Sequence, residues 1–445
     1  MSRVFSLVHK AIEVACYEGP ATLLWRCSLW ARKHWYQRVR RKRDLRILQT
    51  ASAILPAFPP ADHVAVARPA ARTSALQPSS SVGLTRVLFV APIKEFTSMR
   101  YRVANLRAHL AIEGIGSHTM WDIDVAQRLE GALKSDLIVF HRTPATPELR
   151  CLAHIARARG IRLVFEIDDY LFDSSMLSLI PGLDEGSTGL ADQMRTQIKG
   201  TEEMLSLCDL FLGSTQFLAQ RASQLGYPSY VIPNGLSDRQ LALAQHALAR
   251  RKRPRCDAPV RVGYLAGTRT HRHDFAVVIP ALRRLMDEFP HVVLVVRGLM
   301  DLPPELSSYR ARIERRPYVS WQRLVAATAA LDVTLAPLNL SNPVVEGKSA
   351  LKYFESALVR VPVVASPTEE FRQAIQHGTT SFLASNDEEW YEHLRMLITD
   401  PTLRSRIGAQ ARAHVLATYS TDAQSAHTVR VFTQLAQWSG QRPAG

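Results

Sequence analysis

The chain of 445 residues is long enough for two or three domains, and its 47% hydrophobic and 21% charged residues are ordinary proportions for a folded soluble protein. Its five cysteines are scattered, so we expect a reducing compartment and neither a structural zinc site nor a redox motif. No apolar stretch reaches the roughly 18 residues of a membrane-spanning helix, and charged residues interrupt the N-terminal segment. The sequence therefore predicts a cytoplasmic protein without a spanning helix or secretory signal.

The net charge of +15 is concentrated near the N-terminus. Residues 1–50 contain eleven Lys and Arg against three Asp and Glu, and tryptophans lie among the basic residues of the segment 26–46. A basic helical extension of this kind suits an anionic membrane surface, because the rings sit among headgroups and the cations bind lipid phosphate. A helical arm that packs on the rest of the chain is the second interpretation. Nucleic acid ranks third, and we expect no such partner, because the remaining sequence contains no nucleic-acid-binding module.

Residues 51–84 have the Pro- and Ser-rich composition of a disordered linker. From residue 86 onward, short apolar runs alternate with helical patterns. The predicted strands are 86–91, 117–121, 136–140, 161–165, 210–213 and 230–233, with helices at 99–113, 145–159, 188–207 and 215–225. Strands that alternate with helices form a parallel, doubly wound sheet, so residues 85–235 are predicted to be a Rossmann-like domain.

The alternation restarts after a predicted helix and basic connector at 238–259. The next predicted strands are 260–265, 292–296, 333–336 and 362–365, with helices at 274–289 and 321–330 and further helices over 387–437. This pattern predicts a second Rossmann-like domain over 236–405, and thus an α/β protein with a cleft between two parallel sheets. In such sheets ligands bind beyond the carboxyl ends of the strands, so functional residues are expected just after each strand.

A short segment of the second domain carries a chemical signal. Proline and glycine break the chain before a predicted helix whose first turn contains Lys348 and Ser349. Lys348, Lys352 and Glu355 are spaced i, i+4 and i+7, so a helix would place them on one face. The lysines and the helix N-terminus could bind a nucleotide diphosphate, with the glutamate accepting from ribose hydroxyls. A stripe of surface charges on an amphipathic helix fits the same spacing equally well.

This segment resembles the donor-binding helix of GT-B glycosyltransferases, in particular the retaining family 4, where a glutamate-containing helix leads into a strand of the form Pro-Val-Val-Ala-Ser. Here that strand is 362–366, and Glu355 matches the second glutamate of the family's pair. Gly347 stands where the first glutamate would be, and Glu346 lies one residue earlier. One residue turns a side chain by about 100° around a helix axis, so the first glutamate's role is not transferred to Glu346. The lysines resemble a subgroup that carries lysines in this helix.

The resemblance covers residues 86–420 in patches and implies a GT-B fold. It also implies that a C-terminal helix within 406–445 crosses back to the first domain. The implied activity is transfer of a glycosyl unit from a nucleotide-diphosphate sugar to a glycan or lipid-linked acceptor, with retention at the anomeric carbon. Together with the basic N-terminus, the resemblance points to bacterial surface polysaccharide or glycolipid synthesis at the cytoplasmic face of the membrane.

The loop after predicted strand 260–265 resembles the family's Gly-rich donor loop, in which an arginine and a lysine contact the diphosphate. Arg269 matches the arginine, whereas Arg272 or His273 stands where the lysine would be. Glycines just after a strand let the backbone approach a ligand closely. The predicted donor-binding residues are Gly263, Gly267, Thr268, Arg269, His271, Lys348, Ser349, Lys352 and Glu355.

Residues that follow the strands of the first domain are candidates for the acceptor side of the cleft. Arg100 and Arg102 follow the first strand and could bind an acceptor's phosphate or pair with surface acids. His141 follows the third strand and could act as a general base. An isolated histidine at a strand end is more often a hydrogen-bonded structural residue, and we favour that interpretation.

Asp168 and Asp169 follow the fourth strand and resemble the Asp-Asp segment at the floor of the family's cleft. They could orient an acceptor hydroxyl or stabilise positive charge that develops on the sugar ring, and one of them could instead cap the turn that follows. An acid pair can also hold a divalent metal. Because the Rossmann pattern is repeated and the lysines already compensate a diphosphate, we expect no required metal or other cofactor.

Two other functions remain open from the sequence. Epimerases of nucleotide sugars share the GT-B architecture, so an isomerase is one alternative. The displaced first glutamate makes a noncatalytic nucleotide-binding protein the other. Incubation with a donor alone would reveal the first, and nucleotide binding without hydrolysis or transfer would indicate the second.

Overall fold

The structure is a computed structural model that describes residues 83–93, 97–179, 188–251, 258–266, 272–298 and 300–440. Several predictions lie outside these residues. They concern the basic extension 1–50, the linker up to residue 82, and the loop residues Gly267, Thr268, Arg269 and His271.

The first domain is built on a six-stranded sheet. Its strands are β1 (Arg86–Ala91), β2 (Gly116–Trp121), β3 (Leu137–His141), β4 (Arg162–Ile167), β5 (Leu210–Gly213) and β6 (Ser229–Val231). The strand order is β2-β1-β3-β4-β5-β6, and every neighbouring pair is parallel. Strands β1, β3 and β4 are mostly apolar and buried, because helices cover both faces of the sheet.

The helices of the first domain follow the strands in the expected alternation. They are α1 (Thr97–Met99), a π-helical turn (Arg100–Ala104), α2 (Asn105–Ile112), a 3-10 helix (Asp122–Gln127), α3 (Leu129–Ala132), α4 (Pro147–Ala158), a 3-10 helix (Ser174–Leu179), α5 (Thr188–Ser206) and α6 (Gln216–Gln224). Helices α4 and α6 each begin after a threonine, Thr146 and Thr215, whose side chain accepts from a backbone N–H of the first turn. These caps fix where the chain turns from strand to helix.

The second domain repeats the arrangement. Helix α7 (Asp238–Arg250) leads into strands β7 (Val260–Leu265), β8 (Val292–Arg297), β9 (Ile313–Arg316), β10 (Val333–Ala336), β11 (Val363–Ala365) and β12 (Phe382–Leu383). The order is β12-β11-β10-β7-β8-β9, again with parallel neighbours. The helices that follow are α8 (Arg272–Ala276), α9 (Ile279–Glu288), a 3-10 helix (Pro304–Arg312), α10 (Trp321–Ala329), a 3-10 helix (Pro343–Gly347), α11 (Leu351–Leu358), α12 (Glu369–Ala374), α13 (Asp387–Thr399), α14 (Pro401–Tyr419) and α15 (Thr421–Gln437).

Helix α15 returns to the first domain. Its Phe432 lies 5.9 Å from Phe89 of β1 between ring centroids, and His109 Nδ1 of α2 lies 2.8 Å from Thr428 Oγ1. Val431, Phe432 and Leu435 belong to the same buried apolar cluster as residues of β1 and α2. The end of the chain therefore closes one face of the first sheet.

The predicted helix 274–289 is wrong in one respect, because the structure has two helices there, α8 and α9. Pro280 lies in the first turn of α9, and proline cannot donate the backbone hydrogen bond that a continuous helix requires. The edge strands β9 and β12 were not predicted. β9 has the polar sequence Ile-Glu-Arg-Arg and β12 has two residues, so neither forms an apolar run.

Candidate functional site

Polar side chains join the two domains across the cleft. Arg100 Nη2 lies 2.9 Å from Glu355 Oε1, and Asn234 Nδ2 donates to Ser349 Oγ at 2.8 Å. Two further hydrogen bonds cross the cleft: Asn342 Nδ2 donates to Leu179 O at 2.9 Å, and Gln216 N donates to Glu370 Oε1 at 3.1 Å. The segment 342–355 therefore faces the first domain at the carboxyl ends of the strands, where parallel sheets bind ligands.

The lysine segment differs from the predicted helix. Asn342 caps the 3-10 helix Pro343–Gly347, Lys348 is extended, and α11 begins only at Leu351. Lys348 and Ser349 therefore precede the helix instead of occupying its first turn, and Lys348 does not share a helical face with Lys352 and Glu355. A Cβ atom on Gly347 would lie 3.3 Å from Leu218 Cδ2, so the 3-10 helix packs closely on the first domain.

Lys348 is held by an aspartate that sequence reasoning missed. Its Nζ lies 2.7 Å from Asp274 Oδ2, and its side chain remains 35% exposed. Asp274 Oδ1 also accepts from Asn339 N at 3.2 Å, so the carboxylate is fixed from two sides. Asp274 lies in the first turn of α8, three residues after the predicted donor residue His271. Acidic residues are common in first helical turns, so its position alone gave no functional signal.

Lys352 lies partly buried at the end of β7. Its Nζ donates to Leu265 O at 3.0 Å and lies 5.1 Å from the centre of the Tyr264 ring. Burial is the main cause that lowers the pKa of Lys352 to about 8, and the nearby charge of Lys348 acts in the same direction against the opposing effect of Glu355 and Asp274. The structure thus brings two cationic side chains together where the predicted Gly-rich loop begins.

Glu355 contacts the first domain. Its Oε1 accepts from Arg100 Nη2 at 2.9 Å and from the Tyr101 hydroxyl, whereas its Oε2 has no hydrogen-bond partner among the described residues. Arg100 lies against two aromatic rings, 4.2 Å from the ring centre of Tyr101 and 4.6 Å from that of Trp321. Arg100 was predicted to bind an acceptor's phosphate or to pair with an acid. In the structure its guanidinium pairs with an acid, Glu355 of the other domain, and lies against the two rings.

Arg102, for which the same two contacts were predicted, lies in the core of the first domain. It has no exposed surface, and it donates to Glu166 Oε1 at 2.6 Å, to Ile232 O at 2.6 Å and to Asn234 Oδ1 at 3.2 Å. An acceptor cannot reach a guanidinium that is fully enclosed and bonded in this way. Arg102 instead fixes the segment between the domains, and through Asn234 it is connected to Ser349.

His141 belongs to the same buried cluster. Its Nε2 lies 2.8 Å from Ser98 Oγ, and its Nδ1 is hydrogen-bonded to Glu166 Oε2. Burial alone would raise the pKa of Glu166, but the charges of Arg102 and His141 outweigh it and lower that pKa. Both ring nitrogens are engaged and the ring is fully buried, so the structure does not place His141 as a general base for a bound acceptor. Ser98 and Glu166 were given no role by the sequence reasoning.

Asp168 and Asp169 share one arginine. Arg142 Nη1 lies 3.2 Å from Asp168 Oδ1 and 2.7 Å from Asp169 Oδ2, and the two carboxylates are 12% and 46% exposed. Burial, followed by the charge of Asp169, raises the pKa of Asp168 to about 6, and Arg142 opposes the shift. Arg142 has a backbone φ of 50°, which few non-glycine residues adopt, and its N–H donates to Glu166 O at 2.8 Å. The described residues contain no group of three His, Cys, Asp or Glu that could hold a metal ion.

Two glycines near the predicted donor loop have different roles. Gly263 is buried within β7, and a Cβ atom there would lie 2.3 Å from Leu331 Cδ1. The absence of a side chain at Gly263 therefore lets β7 pack closely on Leu331, and the role of Gly263 in donor binding stays a prediction. Gly298 follows β8 with a φ of 122°, and a Cβ atom on it would lie 1.7 Å from Ala266 O. No role was predicted for Gly298. Because it has no side chain, the end of β8 can lie close to Ala266, which follows β7.

Two glutamates, one from the 3-10 helix Pro343–Gly347 and one from α12, lie at the start of α12. Glu346 Oε2 accepts from Glu369 N at 2.9 Å, so Glu346 binds the first backbone N–H of α12. Glu370 accepts from Gln216 N of the first domain, and burial is the main cause that raises the pKa of Glu370 to about 7. The neighbouring charges of Glu369 and Glu346 act in the same direction, while the bond from Gln216 lowers this pKa.

Two Rossmann-like domains that face each other across a cleft, with the chain returning to the first domain at its end, form the GT-B fold. The structure of Alr3699/HepE from Anabaena in complex with UDP-glucose is similar, with a TM-score of 0.54 and 15% sequence identity over 78% of this chain and 99% of that one. A glycosyltransferase from Rickettsia africae has a TM-score of 0.53 and 11% identity over 80% of this chain and all of that one. The predicted fold class is confirmed for the described domains.

Residues 272–429 match a family model described as glycosyl transferase-like. The match begins at α8, ends within α15, and includes Lys348, Lys352 and Glu355. None of the curated protein sequences matches the chain. The helices of the described residues lack a segment with the length and apolar character needed to cross a membrane.

Proposed function

We propose that this protein is a glycosyltransferase that moves a sugar from a nucleotide-diphosphate sugar to an acceptor. The observation that carries the proposal is the pair of ammonium groups of Lys348 and Lys352 on the second-domain side of a GT-B cleft. One of them is partly buried and bonded to the end of β7, and the other is fixed by Asp274. Oriented cations, one of them partly buried, suit a diphosphate, which carries several charges in a small volume.

The arrangement favours the step in which the donor breaks. Cleavage of the bond from sugar to phosphate leaves negative charge on the diphosphate and positive charge on the sugar ring. Lys348 and Lys352 are already held in place, so they stabilise the departing diphosphate without reorganisation. The uncapped N-terminus of α11 lies just after Ala350 and adds backbone N–H donors on the same side.

The carboxylates of Asp168 and Asp169 are proposed to serve the other half of the reaction. They lie on the first domain and are oriented by Arg142, so they can stabilise the positive sugar ring or orient the acceptor hydroxyl. Retention at the anomeric carbon is part of the proposal and is supported by the sequence resemblance. Because the lysines compensate the diphosphate, we further propose that no metal is required, so activity should survive a chelator.

The acceptor is proposed to be a glycan or lipid-linked glycan of surface polysaccharide or glycolipid synthesis. Support for this comes from the sequence, in which the basic segment 26–46 suits the surface of an anionic membrane. Binding of the whole chain to vesicles with and without anionic lipid would test the proposed membrane association separately from the transfer activity.

The central test measures transfer from a panel of nucleotide sugars to lipid-linked acceptors. Lys348→Ala is expected to lower kcat/KM by about 100-fold or more, because it removes a preorganised cation. Lys199→Ala, at an exposed position on α5, is the matched control and should retain activity. Unchanged turnover in Lys348→Ala would reject the assignment. Conversion of the donor in the absence of acceptor would select an epimerase instead.

A further inference from the structure

We infer that Arg100 and Tyr101 of the first domain are positioning residues that hold Glu355 by one carboxylate oxygen and leave the other oxygen to accept a ribose hydroxyl of the nucleotide. This inference rests on the proposed function and concerns how the same site recognises its donor. The second domain provides the lysines and Glu355, and the inference adds two residues of the first domain that position Glu355.

The hydrogen bonds divide the two oxygens of Glu355. Oε1 accepts from Arg100 Nη2 at 2.9 Å and from the Tyr101 hydroxyl, and Oε2 has no partner among the described residues. The side chains of Arg100 and Glu355 are only 13% and 22% exposed, so their ion pair is shielded from most of the solvent. A shielded, charge-assisted bond fixes the carboxylate more firmly than an exposed pair would.

Aromatic rings from both domains hold Arg100 in turn. Its guanidinium lies 4.2 Å from the ring centre of Tyr101 and 4.6 Å from that of Trp321, the first residue of α10. A planar guanidinium can lie over aromatic rings while its donors point in fixed directions within its plane, whereas a lysine ammonium has no plane and its donors rotate freely. Lysine at this position would keep the charge but lose the orientation.

Tyr101 is fixed as a donor. It is buried, and burial together with the charge of Glu355 raises its pKa well above the ordinary value, so the hydroxyl keeps its proton. Gln240 Nε2 donates to the Tyr101 oxygen at 3.3 Å, as does Arg100, which leaves the hydroxyl proton for Glu355. Glu355 Oε1 therefore accepts hydrogen bonds from both Arg100 and Tyr101, and the direction of both bonds is fixed.

Glu355 belongs to the second domain, and the two donors that orient it belong to the first. Separation of the domains would release Glu355 from both. Recognition of the ribose is therefore linked to the closed arrangement, and by thermodynamic reciprocity a bound nucleotide favours closure.

The experiment pairs a change in the protein with a change in the ligand. Wild type is first titrated with the five common nucleoside diphosphates, and the tightest is compared with its 2′,3′-dideoxy counterpart. Arg100→Lys is expected to raise Kd for the natural nucleotide about tenfold or more, because a hydrogen bond to a charged group is lost. The Kd of the dideoxy ligand should change less than about twofold, since the hydroxyls that need Glu355 are already missing.

Four further variants complete the design. Glu355→Ala should bind both ligands equally, and adding Arg100→Lys to it should change neither affinity. Trp321→Ala removes one ring from Arg100 without touching Glu355 and should reproduce the Arg100→Lys selectivity in weaker form. Arg239→Ala is the matched control, because the Arg239 guanidinium lies 5.6 Å from the same Trp321 ring, whereas the described hydrogen bonds of Glu355 come from Arg100 and Tyr101.

The outcomes separate this inference from the proposed function. If the wild type binds a nucleoside diphosphate but Arg100→Lys weakens the natural and dideoxy ligands equally, the positioning role is rejected and the proposed function stands. If no nucleoside diphosphate binds the wild type, both are rejected. Circular dichroism shows whether each variant is folded. If Arg100→Lys is unfolded, the comparison of the two ligands is made with Trp321→Ala instead.

Discussion

Asn234 and Ser349 form a hydrogen bond that crosses from the segment between the domains to the residue next to Lys348. Asn234 Nδ2 donates to Ser349 Oγ at 2.8 Å, while Asn234 Oδ1 accepts from the buried Arg102 at 3.2 Å. Asn234 is itself almost fully buried. The bond therefore connects the rigid interior of the first domain to the proposed diphosphate site.

Replacement of Asn234 should destabilise the protein. Asn234→Ala removes an acceptor from the buried Arg102, and a buried charged donor that loses a partner costs about 1–3 kcal/mol. Ser349→Ala removes only a partly exposed hydroxyl and should cost less. Thermal unfolding of both variants checks this order. Equal melting temperatures for Asn234→Ala and wild type would show that Arg102 does not depend on the amide.

Nucleotide binding should weaken above about pH 8. Lys352 has a pKa of about 8 in the structure, and a bound diphosphate would raise that pKa. Below pH 8 the lysine is charged before and after binding, whereas above it a proton must be taken up with the ligand. The Kd should then rise by up to about tenfold per pH unit. Lys352→Met should bind more weakly at pH 7 and show no such rise between about pH 7.5 and 9.5.

Transfer should fail in acid because of Asp168. Its pKa is about 6, so the proposed ionised form is lost as the pH falls below that value. We expect kcat/KM to decrease below pH 6. Asp169→Asn removes a charge that raises the pKa of Asp168, so this acidic limb should move to lower pH. A shift of this decrease to higher pH in Asp169→Asn would contradict the assignment. The Asp168→Asn variant should have a low kcat/KM that does not decrease further below pH 6.

Glu370 should make stability depend on pH. Its pKa is about 7 in the folded protein and about 4.5 when unfolded, so the folded state binds the proton more tightly. The free energy of unfolding therefore falls as the pH rises from 4.5 through 7. Glu370→Gln keeps an acceptor for Gln216 and should be more stable than wild type at pH 8, on the order of 1–2 kcal/mol, with the difference vanishing near pH 4.5. Glu305→Gln, at an exposed position, is the control for melting temperatures measured from pH 4.5 to 8.

Gly298 should not tolerate alanine. A Cβ atom there would lie 1.7 Å from Ala266 O, and its φ of 122° is unfavourable for any side chain. We expect Gly298→Ala to destabilise the protein by about 3 kcal/mol or more and to displace Ala266, which follows β7. Gly378 also has a positive φ, of 74°, but a Cβ atom on it would have no neighbour within 4 Å, so Gly378→Ala should cost about 1 kcal/mol. Thermal unfolding of the pair distinguishes steric overlap from backbone strain.

The fold was predictable from the sequence because each central strand is an apolar run followed by a helical pattern. The site was predictable only in part. Lys348, Lys352 and Glu355 lie in one region as their spacing indicated, but the helix begins later, at Leu351. Arg100 and Arg102 show most clearly what the sequence alone does not predict. They are two residues apart and chemically identical, yet one pairs with Glu355 across the cleft and the other with Glu166 in the core. Only tertiary contacts distinguish them.

The return of α15 to the first domain has a consequence for synthesis. Phe432 and Leu435 pack on the apolar face of the first sheet beside Phe89. The ribosome synthesises this sheet early, so that face stays partly uncovered until α15 has been synthesised. During this interval the nascent domain exposes a hydrophobic surface to water and to chaperones. A chain truncated before α15 would contain all the strands of the described residues and would still be prone to aggregate.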